Sequence, residues 1–399
     1  MPEEPIKVLL VEDSPTYALL VRSMLAADSS GSFCVTTTDR LDAAIARAHA
    51  EPFDVMLLDL VLPDAQGIET FKRAHAALPS IPIVVMTGLG DDALATEMIQ
   101  RGAQDYLPKA RVMEGIVPRA IRYAIERNRA RMEREHYAAE LEKKNRELED
   151  ELRMARDIQQ ALLPHSYPRF LRDALHFDHC YRPAAMLSGD FFNVLRLSET
   201  KAGVLICDVM GHGVRPALIT TMIRALVEEL KPIATDPGLM LTKVNQDLRA
   251  ILQLTGSPFF TTAFYLVADL EKKQYFWANA GHPRPILIRR ASGQASVFSR
   301  PDSKAQPALG LFPSITYESA QQDMAQDDLV MLFTDGLFEV EGKSEVLYDQ
   351  TMLLEAVQRR AGLPAPKLFD ELLAEIKTFA MDGEFADDVC MVGLEVKRV

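Results

Sequence analysis

A long stretch without glycine or proline divides this chain into two halves. Between Pro118 and Pro164 neither residue occurs, and the segment is dense in Arg, Glu, Lys, Leu and Ala. Such a composition, bounded by proline at both ends, is typical of one continuous helix. At 1.5 Å per residue the helix would be on the order of 65 Å long, which is longer than a small domain needs. We therefore predict a separate domain on each side of it.

The helix carries a short heptad pattern. Its a positions are Ala138, Asn145 and Leu152, and its d positions are Leu141, Leu148, Ala155 and Leu162. An asparagine at a buried a position favours a parallel, in-register dimer. Because the apolar seam is thin, a solvated single helix or packing within one chain is the alternative. We predict a coiled-coil linker helix over residues 126–164 and a parallel homodimer.

Residues 1–125 alternate between strand and helix patterns. Five strands are predicted, at 6–11, 35–37, 53–58, 81–86 and 105–107. Three of them are continuous apolar runs, which are typical of strands buried on both faces of a parallel sheet. Helical periods separate the strands, the last of them at 93–101. This order predicts a doubly wound α/β domain whose ligand site lies at the carboxyl ends of its strands.

Polar residues stand at those predicted strand ends. They are Glu12, Asp13, Asp59, Thr87 and Lys109. Carboxylates are preferred ligands of Mg²⁺, and a lysine beside them balances charge and can bind a phosphoryl oxygen as a compact cation. The sequence therefore predicts a site for Mg²⁺ and a phosphoryl group.

This pattern resembles the receiver domain of two-component response regulators. The resemblance implies that Asp59 is the phosphoacceptor and that a cognate sensor histidine kinase supplies the phosphoryl group. It also implies that Mg²⁺ is bound by Glu12, Asp13 and Asp59. Thr87 and Lys109 would contact the phosphoryl group, and Tyr106 would be the switch aromatic. A receiver that keeps its fold but is never phosphorylated is the alternative. Asp64 and Glu69, near Asp59 in the sequence, are predicted to be solvated surface residues.

Four acidic positions in the second half stand at the ends of predicted strands. They are Asp190, Asp208, Asp335 and the pair Asp387–Asp388. Asp208 ends an apolar run and precedes Gly211 and Gly213, which leave the backbone unusually free. A single aspartate before glycine is most often only a turn former. Their recurrence along the second half instead predicts strands that lie side by side and bring the carboxylates together.

Carboxylates grouped in this way predict a site for divalent cations. Mg²⁺ and Mn²⁺ prefer oxygen ligands in octahedral geometry and keep several waters, so few carboxylates per ion suffice. Two such ions about 4 Å apart would bind both a hydroxide nucleophile and a phosphoryl oxygen. The chemistry that this arrangement predicts is the hydrolysis of a phosphoryl group.

A set of motifs resembles the SpoIIE/RsbU branch of the bacterial metal-dependent PPM serine/threonine phosphatases. In chain order they are Arg-Pro-Ala (182–184), Ser-Gly-Asp-Phe-Phe (188–192), Asp-Val-Met-Gly-His-Gly (208–213), Asn-Ala-Gly-His-Pro (279–283), Leu-Gly-Leu (309–311), Thr-Asp-Gly (334–336) and Ala-Asp-Asp (386–388). The resemblance covers residues 165–399. It implies an α+β, PPM-type β-sandwich of two antiparallel sheets flanked by helices, with two Mn²⁺ or Mg²⁺ ions in a cleft at one edge.

The resemblance also implies roles for single residues. The catalytic and metal-binding carboxylates would be Asp190, Asp208, Asp335 and Asp387, with Asp388 as an alternative to Asp387. Asp208 would bridge both metal ions, with the Val209 carbonyl as a further ligand, and Asp190 would act on a metal directly or through water. His212 and His282 are more simply explained as core or loop histidines than as catalytic groups.

Charge and composition exclude several classes of protein. The net charge of −13 argues against nucleic acid as the main partner, because phosphate binding needs a positive surface. The four cysteines show no metal-ligand spacing, as expected in a reducing compartment. The chain has no basic-then-apolar leader and no apolar stretch long enough to span a bilayer. We therefore predict a cytoplasmic protein without a membrane segment.

These observations predict a response regulator whose phosphorylation at Asp59 controls a metal-dependent phosphoserine/phosphothreonine protein phosphatase. The predicted domains are a receiver at 1–125, the linker helix at 126–164 and the phosphatase at 165–399. By resemblance, the substrate would be a phosphorylated STAS-type anti-anti-sigma protein in a partner-switching pathway. The alternative is a catalytically weak or inactive adaptor that binds a sigma factor or an antagonist under receiver control.

Overall fold

The structure is a computed structural model, and it describes residues 4–29, 32–88, 98–99, 102–164, 166–170, 173–253, 260–299, 305–342 and 346–398. Two compact units make up the chain, Met1–Arg146 and Glu147–Val399. Within the described residues, none of the helices combines the length and the apolar character needed to cross a membrane.

A five-stranded parallel sheet forms the centre of the first unit. It contains β1 (Ile6–Val11), β2 (Phe33–Thr38), β3 (Val55–Asp59), β6 (Ile83–Thr87) and β7 (Asp105–Pro108), in the order β2-β1-β3-β6-β7. A short hairpin, β4 (Val61–Leu62) and β5 (Ala65–Gln66), follows β3. Every residue of β3 and β6 is buried, which agrees with their continuous apolar sequences. The predicted doubly wound fold is confirmed.

Helices cover both faces of this sheet. They are α1 (Pro15–Ala27), α2 (Leu41–Ala50), α3 (Ile68–Ala77) and the first turns of α4 (Val117–Leu162). One apolar core contains residues of α1 and α4, and the other contains residues of α2 and α3. A 3₁₀ helix, Lys109–Glu114, precedes α4. The helix predicted at 93–101 lies almost entirely outside the described residues.

Asp64 is a capping residue rather than the solvated residue that we predicted. The residue before α2, Arg40, provides no side-chain cap. Instead the Asp64 carboxylate accepts hydrogen bonds of 3.0 Å from the backbone N–H groups of both Leu41 and Asp42. Burial alone would raise the pKa of Asp64, but these hydrogen bonds lower it below its usual value. The loop that follows Asp59 is thereby fixed to the start of α2.

Helix α4 is continuous over its 46 residues, as the absence of glycine and proline after Pro118 predicts. Two of the predicted d positions, Leu141 and Leu148, are 63% and 55% exposed in the single chain. The last two, Ala155 and Leu162, are half-buried within the second unit. Of these four d positions, only Leu141 and Leu148 are therefore exposed enough to pack against a partner helix.

Two antiparallel five-stranded sheets form the second unit. The first contains β9 (Asp190–Arg196), β10 (Lys201–Val209), β11 (Thr261–Asp269), β12 (Gln274–Ala280) and β15 (Ala320–Asp323), in the order β15-β12-β11-β10-β9. The second contains β8 (Leu175–Arg182), β13 (Ile286–Arg289), β14 (Gln294–Val297), β16 (Asp328–Phe333) and β19 (Val389–Val396), in the order β14-β13-β16-β19-β8. The sheets pack face to face over a shared apolar core.

Helices cover the outer faces of this sandwich. Helices α5 (Val214–Glu229) and α6 (Pro237–Leu252) pack on the first sheet, and α7 (Gln350–Gln358) and α8 (Ala365–Phe379) pack on the second. Shorter elements are the 3₁₀ helices Lys231–Ile233 and Asp335–Leu337 and the hairpin of β17 (Val340–Glu341) and β18 (Leu347–Tyr348). The predicted β-sandwich flanked by helices is confirmed.

The alternation of side chains along β10 determines where the acidic site lies. Val204 and Ile206 pack into the core between the sheets, whereas Leu205 and Cys207 pack against α5 and α6. Because successive residues of a strand point to opposite faces, Asp208 continues the row that faces the second sheet. The site is therefore built at one end of the core between the two sheets.

Candidate functional site

A row of residues crosses the first sheet of the second unit at this end. Asp208 of β10 is paired with Asp190 of β9 on one side and with Thr262 of β11 on the other. Directly opposed residues of antiparallel strands share a face, with Cβ atoms about 4.5–5.5 Å apart. Strand register therefore brings the two predicted aspartates together, although they lie 18 residues apart in the sequence.

The glycine before Asp190 permits a close approach of backbone oxygens. A Cβ at Gly189 would lie 2.5 Å from the Val209 carbonyl oxygen and 3.0 Å from that of Gly211. The Val209 N–H also donates to the Gly189 carbonyl at 3.1 Å. A side chain at position 189 would force these segments apart, so the Ser-Gly-Asp motif needs its glycine.

The second sheet fixes the Asp190 carboxylate from the opposite side. The Thr334 hydroxyl donates to Asp190 Oδ2 at 2.7 Å, and the Cys390 N–H donates to the Thr334 hydroxyl oxygen at 3.0 Å. Asp190 is only 2% exposed. Burial, followed by the nearby charge of Asp208, holds the pKa of Asp190 well above its ordinary value.

The neighbouring residues Asp387 and Asp388 have different surroundings. Asp388 is 5% exposed, and its two carboxylate oxygens accept from the backbone N–H groups of Ala184 at 2.7 Å and Gly189 at 3.0 Å. Asp387 is exposed, and one of its oxygens accepts from the Asp388 N–H at 2.8 Å. Both oxygens of Asp388 thus hold the loop that leads to Asp190.

Crowded negative charge is the main electrostatic property of this site. Burial raises the pKa of Asp208 to about 7, and the carboxylates of Asp335, Asp387, Asp388 and Glu339 add to the increase. The pKa of Asp335 is raised by burial and then by the charges of Glu339 and Asp387. Such a group favours bound cations, because positive charge would relieve the mutual repulsion. Glu339 was not predicted, although it follows Asp335 by four residues and its N–H donates to the Asp335 carbonyl at 2.9 Å.

The predicted residues of the first unit also meet at one place. Ligand atoms of Glu12, Asp13 and Asp59 lie within 4.8 Å of one another. Among the described residues this is the one group of three acidic, histidine or cysteine side chains that is so compact. The carboxylates of the second unit are more widely spaced, which suits a site where each ion binds few carboxylates and several waters.

A lysine balances the charge of the first group. Lys109 Nζ lies 2.8 Å from Asp59 Oδ2 and 2.8 Å from Glu12 Oε2. Thr87, at the end of β6, is 4% exposed, and Tyr106 is half-buried on β7. Tyr17 was not predicted, but its ring centroid is 4.6 Å from Lys109 Nζ. Its position in the first turn of α1, four residues after Asp13, could have indicated this contact.

Comparisons with known proteins match both units to known domain families. Residues 8–120 match the family model of the response regulator receiver domain, and residues 198–397 match that of Stage II sporulation protein E (SpoIIE). The second match covers half of the chain. The chain belongs to the SpoIIE family. Its SpoIIE domain follows a receiver domain, as the motifs predict.

Individual relatives support the same assignment. The chain is 25% identical to the phosphoserine phosphatase RsbP of Bacillus subtilis over 248 residues, which are 62% of this chain and 58% of RsbP. It is 26% identical to the phosphoserine phosphatase RsbU of the same organism over 242 residues, 60% of this chain and 69% of RsbU. The match to RsbP therefore spans less than two thirds of that relative's length.

A solved structure shares the fold of the SpoIIE domain. The SiaA-PP2C domain of Pseudomonas aeruginosa aligns with a TM-score of 0.54 and 20% identity, over 63% of this chain and 98% of that domain. At this level of identity the likeness concerns the fold.

The two histidines of the SpoIIE motifs differ in their surroundings. His212 is exposed in the loop between β10 and α5. His282 is 4% exposed, and its Nδ1 lies 2.8 Å from the Thr262 hydroxyl oxygen. Burial lowers the pKa of His282 to about 3, so its ring is neutral near pH 7.

A glutamine of α4 also reaches this site, and no motif or periodicity pointed to it. Gln159 Oε1 accepts from the Ser188 N–H at 3.1 Å, and its Nε2 donates to the Ser188 carbonyl at 2.8 Å. The side chain is 8% exposed. The end of α4 is thereby bonded to the residue two positions before Asp190.

Proposed function

We propose that the chain is a metal-dependent protein serine/threonine phosphatase under the control of its receiver domain. The observation that carries this proposal is the pairing of Asp190 with Asp208 beside the carboxylates of Asp335 and Asp387. Oxygen donors crowded without a balancing cation, as the raised pKa of Asp208 indicates, fit Mn²⁺ or Mg²⁺ well. When bound, two such ions act as Lewis acids that activate a water and polarise the phosphoryl group.

Four carboxylates and one backbone carbonyl of the chain would hold these ions. Asp208 lies at the centre of the row and would bridge both, with the Val209 carbonyl and Asp190 beside it. Asp335 and Asp387 would hold the second ion. Both carboxylate oxygens of Asp388 accept hydrogen bonds from the N–H groups of Ala184 and Gly189. We therefore propose that Asp388 supports the loop and that Asp387 is the metal ligand.

The substrate class follows from the relatives. RsbP and RsbU are phosphoserine phosphatases, and they are similar to 62% and 60% of this chain. We propose a phosphoserine or phosphothreonine protein as the substrate of this chain. The motif resemblance further favours a phosphorylated STAS-type anti-anti-sigma protein, which would place the reaction in a partner-switching pathway.

Receiver control requires a physical connection to the metal centre. Helix α4 is unbroken from Val117 to Leu162, and its Gln159 is bonded to both backbone groups of Ser188. Ser188 in turn accepts from the Asp190 N–H through its hydroxyl at 3.0 Å. A rotation or register shift of α4 would therefore act directly on the segment that carries Asp190. We propose that a histidine kinase phosphorylates Asp59 and that a parallel dimer through α4 transmits the change.

The first experiment measures hydrolysis of an aryl phosphate with Mn²⁺, before and after treatment with the phosphoryl analogue beryllofluoride. We expect turnover that needs Mn²⁺, is lost in Asp208→Asn, and changes with the analogue in the wild type but not in Asp59→Ala. Absence of turnover in every state, with a phosphoserine protein as well as the aryl phosphate, would contradict the proposed activity. Turnover that the analogue leaves unchanged would contradict only the receiver control.

A further inference from the structure

The first turn of α1 is hydrogen-bonded to a carboxylate of the receiver site. The Ser14 N–H donates to Glu12 Oε1 at 3.2 Å, and the Ser14 hydroxyl oxygen accepts from the Tyr17 N–H at 3.4 Å. Ser14 is thus the N-cap of α1, and Pro15 follows it at the first helical position. Because the helix begins at these bonds, they fix the position of Tyr17 relative to Glu12.

The side chain of Tyr17 lies against Lys109. Its ring centroid is 4.6 Å from Lys109 Nζ, within the roughly 6 Å over which a cation is attracted to an aromatic face. The Tyr17 hydroxyl also donates to the Lys109 backbone carbonyl, but at 3.4 Å this contact is long for a hydrogen bond between two oxygen atoms. The ring therefore provides most of the interaction.

The Lys109 ammonium is in contact on three sides. Nζ lies 2.8 Å from Asp59 Oδ2 and 2.8 Å from Glu12 Oε2, and the Tyr17 ring is the third contact. Lysine reaches these groups through a flexible four-carbon stem, which loses rotamer freedom when the ammonium is held. A phosphoryl group on Asp59 would change the oxygens that face the ammonium, whereas the ring would stay the same. The ring contact therefore suits both states of the site.

We propose that Tyr17 is a positioning residue of the receiver, which holds the Lys109 ammonium where it binds a phosphoryl oxygen on Asp59. The inference rests on the proposed phosphorylation of Asp59 and adds a residue outside the set that the motifs marked. The Lys109 side chain is 26% exposed, so without the ring its ammonium is free to turn toward solvent. Binding of a phosphoryl group should then weaken, while the carboxylates that bind Mg²⁺ stay in place.

The test measures the binding of beryllofluoride to the full chain by fluorine NMR in the presence of Mg²⁺. The signal that Asp59→Ala removes is assigned to the receiver. Tyr17→Leu keeps an apolar side chain but removes the aromatic face, and it should bind beryllofluoride roughly 3- to 30-fold more weakly. Tyr17→Phe keeps the ring and loses only the long hydroxyl contact, so its affinity should stay close to that of the wild type.

Two controls separate positioning from a general loss of packing. Leu20 is a half-buried residue of α1 that packs against the same core as Tyr17, and Leu20→Ala should leave the affinity for beryllofluoride unchanged. In Tyr17→Leu, the affinity of the receiver for Mg²⁺ without beryllofluoride should not fall, because its three carboxylates remain. A site that had lost its structure would bind both ligands more weakly.

Three results would overturn the inference. They are an affinity for beryllofluoride in Tyr17→Leu equal to that of the wild type, an equal loss in Tyr17→Phe or Leu20→Ala, and a loss of Mg²⁺ affinity in Tyr17→Leu. If the wild-type chain bound no beryllofluoride at the receiver, the proposed phosphorylation of Asp59 would itself fail, and that result is distinct from all three.

Discussion

The two units of this chain each gather carboxylates at strand ends, but they differ in how the charge is balanced. In the receiver, Lys109 lies 2.8 Å from both Asp59 and Glu12. In the SpoIIE domain, the charges that act on Asp208 come from other carboxylates, and its pKa is raised to about 7. The first site therefore has one built-in cation that partly offsets the charge of its three carboxylates, whereas the second depends on bound cations to relieve its repulsion. Under the proposed function, aspartate would act as a reversible phosphoryl acceptor in one unit and as a metal ligand in the other.

Removal of one carboxylate from each site should separate the two roles most strongly. We expect Asp208→Asn to lower Mn²⁺-dependent turnover by about 10³-fold or more, because the ions supply most of the electrostatic stabilisation of the transition state. Asp59→Asn should instead remove the response to beryllofluoride while turnover persists. Initial rates with a phosphoserine peptide measure both effects. Equal losses of turnover in the two variants would contradict the proposed difference between the two sites.

The free energy of unfolding of the metal-free SpoIIE domain should fall as pH rises, whereas a salt-bridged carboxylate makes it rise with pH. The ordinary pKa of Asp208 is 3.8, and its folded-state pKa is about 7. Between these values the folded chain binds more protons than the unfolded chain, so the free energy of unfolding falls as pH rises. We expect the metal-free SpoIIE domain to lose on the order of 4 kcal/mol between pH 4 and pH 8. Chemical denaturation at several pH values, with Asp208→Asn as the control, should show a flatter profile in the variant.

Loss of the balancing lysine should make the first site resemble the second. Lys109→Met would leave Glu12 and Asp59 buried beside each other without a cation. We expect the receiver to lose about 2 kcal/mol of unfolding free energy. Added Mg²⁺ should then stabilise the variant more than the wild type. A variant as stable as the wild type without Mg²⁺ would show that the lysine is not needed for charge balance.

The smallest expected effect concerns the connection between helix and site. Gln159→Ala removes hydrogen bonds to Ser188 and should cost about 1 kcal/mol of unfolding free energy. The variant should also lose most of the change in turnover caused by beryllofluoride. Gln160→Ala, one position along the helix and half-buried, is the matched control. If both variants kept the full response, the coupling through Ser188 would be wrong.

Strand patterns predicted much of this molecule because the sites lie at strand ends. Asp59 and Asp208 each close an apolar run, so their positions followed from burial periodicity and the motifs. Contacts made across long sequence separations could not be predicted in the same way. Asp64 caps α2 and Gln159 bonds Ser188 only because tertiary packing brings them there. The hydrogen bonds that distinguish Asp387 from Asp388 likewise depend on a loop about 200 residues away.

The direct test of the central claim is a count of the Mn²⁺ ions bound by the full chain, by calorimetric titration at neutral pH. We predict two ions at the SpoIIE domain and one at the receiver, so that Asp208→Asn loses two and Asp59→Asn loses one. Binding at the SpoIIE domain should also release protons, since Asp208 has a pKa of about 7 in the absence of metal. An unchanged count in Asp208→Asn would contradict the account, because the crowded carboxylates of the second unit would then not be the metal centre.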